Sequence, residues 1–153
     1  MHTENAIDIQ AGLDRIVALA ADVERWPAIL PHYRSVRLLE GGGDRKVVEM
    51  AARRDRIPVS WRAIQEVDRR GSTPIIRYRH IGGITKGMEV AWTFQRRDRG
   101  YRVRIEHALR LGWPMIGGLV ADQIIGPFFV AYIAGQTLAT IKRIAEAEAV
   151  AND

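Results

Sequence analysis

The spacing of apolar residues along this 153-residue chain changes period three times, and each change marks a new kind of element. Ala6-Ile7-Asp8-Ile9-Gln10 alternates apolar and polar, the pattern of a half-buried strand. From Leu13 to Ala21 the residues Leu13, Ile16, Val17 and Ala20 return at helical spacing. Asp22 stands where an N-cap belongs, ahead of a second short helix over Val23 to Ile29 that Pro27 limits and Pro31 ends. From Tyr33 to Leu111 the period drops to two, in segments near 34–41, 45–55, 57–68, 74–81, 86–97 and 100–111. Glycine-rich breaks at Gly41-Gly42-Gly43-Asp44, Arg70-Gly71-Ser72-Thr73-Pro74, Gly82-Gly83 and Arg99-Gly100 separate them, which predicts a six-stranded antiparallel meander. The remainder, Pro114 to Ala149, is one long helical stretch, with a kink predicted just before Pro127.

A strand, two short helices, six antiparallel strands and a long terminal helix make an α+β order, with the helices on one face of the sheet. The whole of 1–153 reads as a single domain. Such a sheet curls around the long helix, and any volume left between them is an internal cavity for a small molecule. Strand parity says which side chains face it. The inward set is Val48, Met50 and Ala52; Ile57, Val59, Trp61, Ala63, Gln65 and Val67; Met88, Val90, Trp92 and Phe94; and Tyr101, Val103, Ile105, His107, Leu109 and Leu111. For the strand at 75–81, Ile76, Tyr78 and His80 are placed inward, because the other choice buries Arg77 and Arg79.

Composition narrows the chemistry of that cavity. Hydrophobic residues make up 47% and charged residues 27%, which excludes disorder and a multi-span membrane protein. The absence of cysteine excludes disulfides, thiolate metal sites and a thiol nucleophile. The net charge of +5 raises a nucleic-acid reading, but 20 of the 23 basic residues are Arg, spread along the chain without a dense block. Arg62, Arg77, Arg79, Arg102, Arg104 and Arg110 take the outward parity, interleaved with Glu49, Glu66, Glu89 and Glu106 and with no aromatic residues, so a solvated face of paired charges is expected and no nucleic-acid partner. Met1-His2-Thr3-Glu4-Asn5 lacks the basic and apolar regions of a signal peptide, and a cytoplasmic location is expected. Met115 to Ile141 is strongly apolar, but Gln123, Gln136 and the central Gly126-Pro127 fit a helix gripped by a sheet, with membrane contact at most peripheral.

The candidate ligand-binding residues are Tyr33, Met50, Trp61, Gln65, Tyr78, His80, Trp92, His107 and Phe128, with Tyr33 and His107 as candidates for proton transfer. An aromatic, mostly apolar lining with a few polar tips suits a planar hydrophobic ligand bearing hydroxyl or carbonyl groups. The alternative is a filled core whose Trp and His nitrogens find ordinary partners. His80 and His107 share a face with no carboxylate, so no metal site is expected, and neither a nucleophile elbow nor a phosphate-binding glycine loop is present, so no cofactor is expected. Nothing in the sequence sets the oligomeric state.

Asn5-Ala6-Ile7-Asp8-Ile9, Ala21-Asp22-Val23-Glu24-Arg25-Trp26-Pro27, Pro31-His32-Tyr33, Trp92-Thr93-Phe94 and the helix ending Thr137-Leu138-Ala139-Thr140-Ile141-Lys142-Arg143-Ile144 together resemble the START-like superfamily of polyketide cyclases/dehydrases and lipid-transport proteins. That resemblance implies a helix-grip fold, with the curved antiparallel sheet wrapped around the C-terminal helix. Within the superfamily the layout is most similar to bacterial aromatic polyketide aromatase/cyclases. The likeness puts Tyr33 at a pocket tyrosine and Trp92 on the cavity wall. Where those cyclases place an arginine, this chain has Gln65, and a neutral amide hydrogen-bonds a ketone but does not stabilise an enolate as a cation does. Two readings stay open. One is a binding module for a polyketide, quinone or lipid-like molecule; the other is a cyclase that folds a poly-β-ketone for aldol closure and dehydration.

Overall fold

The computed structural model describes residues 2–83, 85–109 and 127–151. Its strands are β1 (His2–Ile9), β2 (Tyr33–Gly42), β3 (Arg45–Arg54), β4 (Ile57–Asp68), β5 (Ile75–Gly83), β6 (Met88–Arg97) and β7 (Gly100–Leu109). Between β1 and β2 lie α1 (Leu13–Ala21), a 3-10 turn (Val23–Arg25) and α2 (Trp26–Ile29), and the chain closes with α3 (Pro127–Ala151). The strands form one antiparallel sheet in the order β1-β7-β6-β5-β4-β3-β2. Six of them follow one another as hairpins, as the period of two predicts. The first strand leaves its sequence neighbour and pairs with the last, Ile7 opposite Val103 and Thr3 opposite His107. Consequently β1 and β2 are the two edges, and the segment holding α1 and α2 connects them.

Alternation holds along the strands and sorts the side chains. In β4 the residues Val59, Trp61, Ala63, Gln65 and Val67 are all buried, while Ser60, Arg62 and Glu66 face solvent. Ile57 departs from the expectation. It pairs with Arg54 where the β3–β4 hairpin turns, past the covered part of the sheet, and is 42% exposed. Asp22 also departs from its expected role, since its carboxylate makes no capping hydrogen bond; its backbone N–H instead closes α1 by donating to Ala18 O. At the end of β5 a register shift beside Arg62 brings Gly83 against Trp61, with φ of 86°. A Cβ there would meet Ser60 O at 2.6 Å, so only glycine fits.

The predicted helix over 114–126 and its kink lie outside the described residues. In α3 the buried residues Val130, Ile133, Ala134, Leu138, Ile141 and Ala145 recur every three or four positions and form the stripe laid on the sheet. Burying a residue such as Leu138 is worth about 2 kcal/mol. The helix is tied to the first edge strand by Asn5 Nδ2 donating to Ala131 O at 3.2 Å and by Lys142 Nζ donating to Asp8 O at 2.7 Å. Arg15 of α1 pairs with Glu148. Trp26 sits at the join of helices and sheet, its indole N–H donating to Leu19 O at 2.9 Å.

Candidate functional site

A cavity of about 70 Å³ lies between the concave face of the sheet and α3. Of the residues picked out from sequence, Tyr33, Met50, Trp61, Tyr78, His80, Trp92 and His107 line it. Gln65 does not; it stands one layer back, fully buried, behind Tyr78. The side chain of Phe128 lies outside the described residues. Trp26, Thr85 and, from α3, Ile133, Ala134 and Thr137 complete the wall together with other apolar side chains. Among the described residues, no charged side chain lines the cavity.

The polar groups near the cavity are placed by register. Lys46 pairs with Gln65, Gln65 with Tyr78, Tyr78 with Val90, Val90 with His107 and His107 with Thr3, so one lateral row crosses six strands on the concave face. Only Val90 interrupts its polar character. At one end Lys46 is buried and its ammonium donates to Glu24 Oε1 at 2.6 Å. Gln65 Nε2 donates to Ala21 O at 2.9 Å and to Tyr78 Oη at 2.8 Å. Ala21 is the last residue of α1, so its carbonyl lacks a partner inside the helix and the amide supplies one. At the other end His107 Nδ1 and Thr3 Oγ1 are buried with no partner among the described residues, as is Asn5 Oδ1 on the adjoining row.

His80 occupies the next row. Its Nδ1 lies 2.6 Å from Thr85 Oγ1, and its ring stacks on Trp61 at 5.6 Å between centroids and 3° between planes. His32, which sequence parity does not reach, is buried beside Tyr33, with ring centroids 4.9 Å apart. Its Nε2 lies 2.8 Å from Thr137 Oγ1. Thr137 spends its own proton on Ile133 O at 2.7 Å, so His32 Nε2 is the donor in that pair. The signal for this residue is its place next to Tyr33 in Pro31-His32-Tyr33. Lys46 was equally legible, since it shares the parity of Val48 and Met50. Thr85 was not, because it lies beyond the end of β5.

Burial sets the protonation of the histidines and tyrosines of the cavity wall, and of His32 beside it. It pushes His107 down to about 4, and His80 down to about 3 with a further contribution from the neighbouring His107. His32 is pushed down to about 4, also by burial and against a hydrogen bond to Ile133. All three imidazoles are therefore neutral at pH 7. Burial raises both phenols above their ordinary value, the nearby Tyr78 adding to the effect on Tyr33, so both stay protonated. The interior thus offers hydroxyl donors, imidazole groups and aromatic faces in a region without net charge. Such a surface suits a neutral ligand with hydroxyl or carbonyl oxygens, and charged groups would pay their full desolvation cost there. Among the described residues, no group of three or more His, Asp or Glu side chains is placed to hold a metal ion.

A curved antiparallel sheet gripping a C-terminal helix over an aromatic cavity defines a START-like ligand-binding fold. The chain belongs to the polyketide cyclase/dehydrase and lipid transport family, whose model matches residues 9–126. It is similar to two Streptomyces proteins that share the name "Putative polyketide cyclase". The one from Streptomyces halstedii is 32% identical over 104 residues, which are 67% of this chain and 95% of the relative. The one from Streptomyces cyaneus is 25% identical over 103 residues, 67% of this chain and 68% of the relative. Among solved structures, the Zhui aromatase/cyclase from a Streptomyces strain superposes with a TM-score of 0.78 at 21% identity, covering 95% of this chain and 93% of that one. A STAR-related lipid transfer protein from Xanthomonas axonopodis gives 0.67 at 14% identity, covering 94% and 85%. These structural likenesses bear on the fold. Among the described residues, no helix is long and apolar enough to cross a membrane.

Proposed function

We propose that the chain binds a neutral, hydrophobic, oxygen-bearing small molecule of polyketide or quinone type in the cavity between the sheet and α3. The observation that carries this reading is the wall itself: Trp26, Trp61 and Trp92 supply flat apolar area, Tyr33, Tyr78 and His107 supply polar tips, and no described side chain there is charged. The drive is burial of ligand surface, at roughly 25 cal/mol per Å². The volume of about 70 Å³ is below the ~300–1,000 Å³ of pockets that enclose drug-sized molecules, so a fused-ring ligand enters by moving lining side chains. Met50 and Met88, unbranched and polarizable, are the lining residues best suited to yield.

A second reading is cyclisation of a poly-β-ketone, and the names of the two Streptomyces relatives favour it. In that case the wall holds the chain in one folded conformation: neutral His107 takes a proton from an acidic carbon between two ketones, that carbon bonds to a distant ketone carbon and the resulting alkoxide takes the proton; His107 then takes the second proton of the same carbon and gives it to the departing hydroxyl. Water is lost and no redox step occurs. Titration with 1,4-naphthoquinone, 1-indanone and lauric acid, followed by tryptophan fluorescence and melting temperature, tests the binding reading. Saturable quenching with a raised melting temperature is expected for the two carbonyl compounds. Absence of saturable binding by all three contradicts it. For cyclisation, His107→Ala is expected to change the product distribution from a reactive poly-β-ketone, and unchanged products would remove His107 from that role.

A further inference from the structure

We infer that Gln65 is a positioning residue: it holds the Tyr78 hydroxyl as an acceptor, so that the phenolic proton turns to the cavity and is donated to a ketone oxygen of the bound molecule. The inference deepens the proposed function and rests on it.

The orientation of the amide follows from its partners. Ala21 O can only accept, so the Gln65 atom 2.9 Å from it is the nitrogen. That same nitrogen lies 2.8 Å from Tyr78 Oη. Its two hydrogens are therefore both committed, one to the end of α1 and one to the phenol. Tyr78 Oη accepts, and its own hydrogen must point elsewhere. No acceptor for that hydrogen is present among the described residues, and Tyr78 lines the cavity. Burial keeps the phenol protonated, so the donor is available at any neutral pH.

A second observation separates this role from plain packing. Gln65 is fully buried, yet its Oε1 has no partner among the described residues. A buried orphan acceptor is destabilising, and an amide held only for stability would be expected to satisfy its oxygen as well. The posture makes sense if the two N–H donations are what the fold retains: one anchors the amide to α1, the other sets the direction of the Tyr78 proton. The ligand class that benefits carries a carbonyl and not merely apolar rings.

The test compares 1-indanone with indane, which share a skeleton and differ in the carbonyl. Calorimetry supplies the ratio of their Kd values, and infrared difference spectra of carbonyl-labelled 1-indanone report hydrogen bonding to the ketone directly. In the wild type the carbonyl stretch is expected below its position in an apolar solvent. Tyr78→Phe removes that shift and moves the Kd ratio about five-fold against the ketone, the size of one neutral hydrogen bond. Gln65→Glu keeps the shape but has no N–H donor: protonated, it can give its one O–H to Ala21 O, and its other oxygen accepts the phenolic proton, so it produces the same change. Combined with Tyr78→Phe it adds nothing further. Gln65→Met, apolar and of similar length, carries the same prediction if Gln65→Glu does not fold. A carbonyl shift that survives Gln65→Glu or Gln65→Met overturns the inference, as does equal weakening of ketone and hydrocarbon, which would mark a packing role. A wild type that binds neither probe defeats the cavity reading itself.

Discussion

The two faces of the sheet handle polar groups in opposite ways. On the convex face the charges are many, paired and wet. Arg102 meets Asp8 at 2.8 Å, Arg37 meets Glu49 at 2.9 Å, and Arg70 and Arg77 share Asp68. Most of these side chains are well exposed, and pairs of that kind are worth about 0–1 kcal/mol. On the concave face the polar groups are few and dry, and several find no partner among the described residues: Gln65 Oε1, His107 Nδ1, Thr3 Oγ1 and Asn5 Oδ1. Each such atom costs on the order of 1–3 kcal/mol when nothing answers it. On the outer face each pair contributes little, so breaking one should cost little. The inner face retains groups that packing alone would discard, and the proposed binding role rests on that difference.

Acid should expose the contrast most strongly. His80 and His107 have native pKa values near 3 and 4, depressed from the ordinary 6.5 by burial. Below about 6.5 the unfolded chain binds protons that the native one refuses, so stability falls as pH drops from about 6.5 toward the native values and levels off below them. Each of the two steepens the slope by up to about 1.4 kcal/mol per pH unit. Urea denaturation across pH 4–7 measures it, and a flat profile would mean that these imidazoles are hydrated or already charged.

A cavity-creating change comes next. Leu138→Ala, in the buried stripe of α3, is expected to cost about 2–5 kcal/mol. Guanidinium midpoints check this, and a loss under 1 kcal/mol would mean that α3 does not grip the sheet as described. The effect of His107→Leu is smaller and opposite in sign. Replacing an imidazole whose Nδ1 has no partner among the described residues by an apolar side chain should stabilise the fold by about 1 kcal/mol at pH 5 while weakening the binding of 1-indanone. Destabilisation instead would show that Nδ1 has a partner in the native protein. The smallest effect belongs to the convex face. Arg37→Ala breaks an exposed pair with Glu49 and should shift stability by no more than about 0.5 kcal/mol at physiological salt.

Much of this contrast was legible in the sequence because a strand obeys a strict period. Alternation placed Trp61, Gln65, Tyr78, His80 and Trp92 on one face, and burying arginine was enough to decide the ambiguous strand 75–81. Parity does not say how deep a residue sits. It could not tell that Gln65 lies behind Tyr78 and not on the cavity wall, because that depends on where the end of α1 lands. Nor could it anticipate that β1 would pair with β7 and bring Thr3 beside His107, since long-range register leaves no local trace. Ile57 shows the opposite limit: its parity is inward, but the sheet ends before anything covers it.

The central claim is that a hydrophobic, oxygen-bearing molecule occupies the space between the concave face and α3. Ala134→Phe tests it most directly, because Ala134 is a buried α3 residue on the cavity wall and a phenyl ring there fills the space. Calorimetric titration with 1-indanone should give saturable binding to the wild type, with a negative heat-capacity change, and at least a ten-fold loss in the folded Ala134→Phe variant. Equal affinity in both proteins would place the ligand outside the cavity and contradict the account.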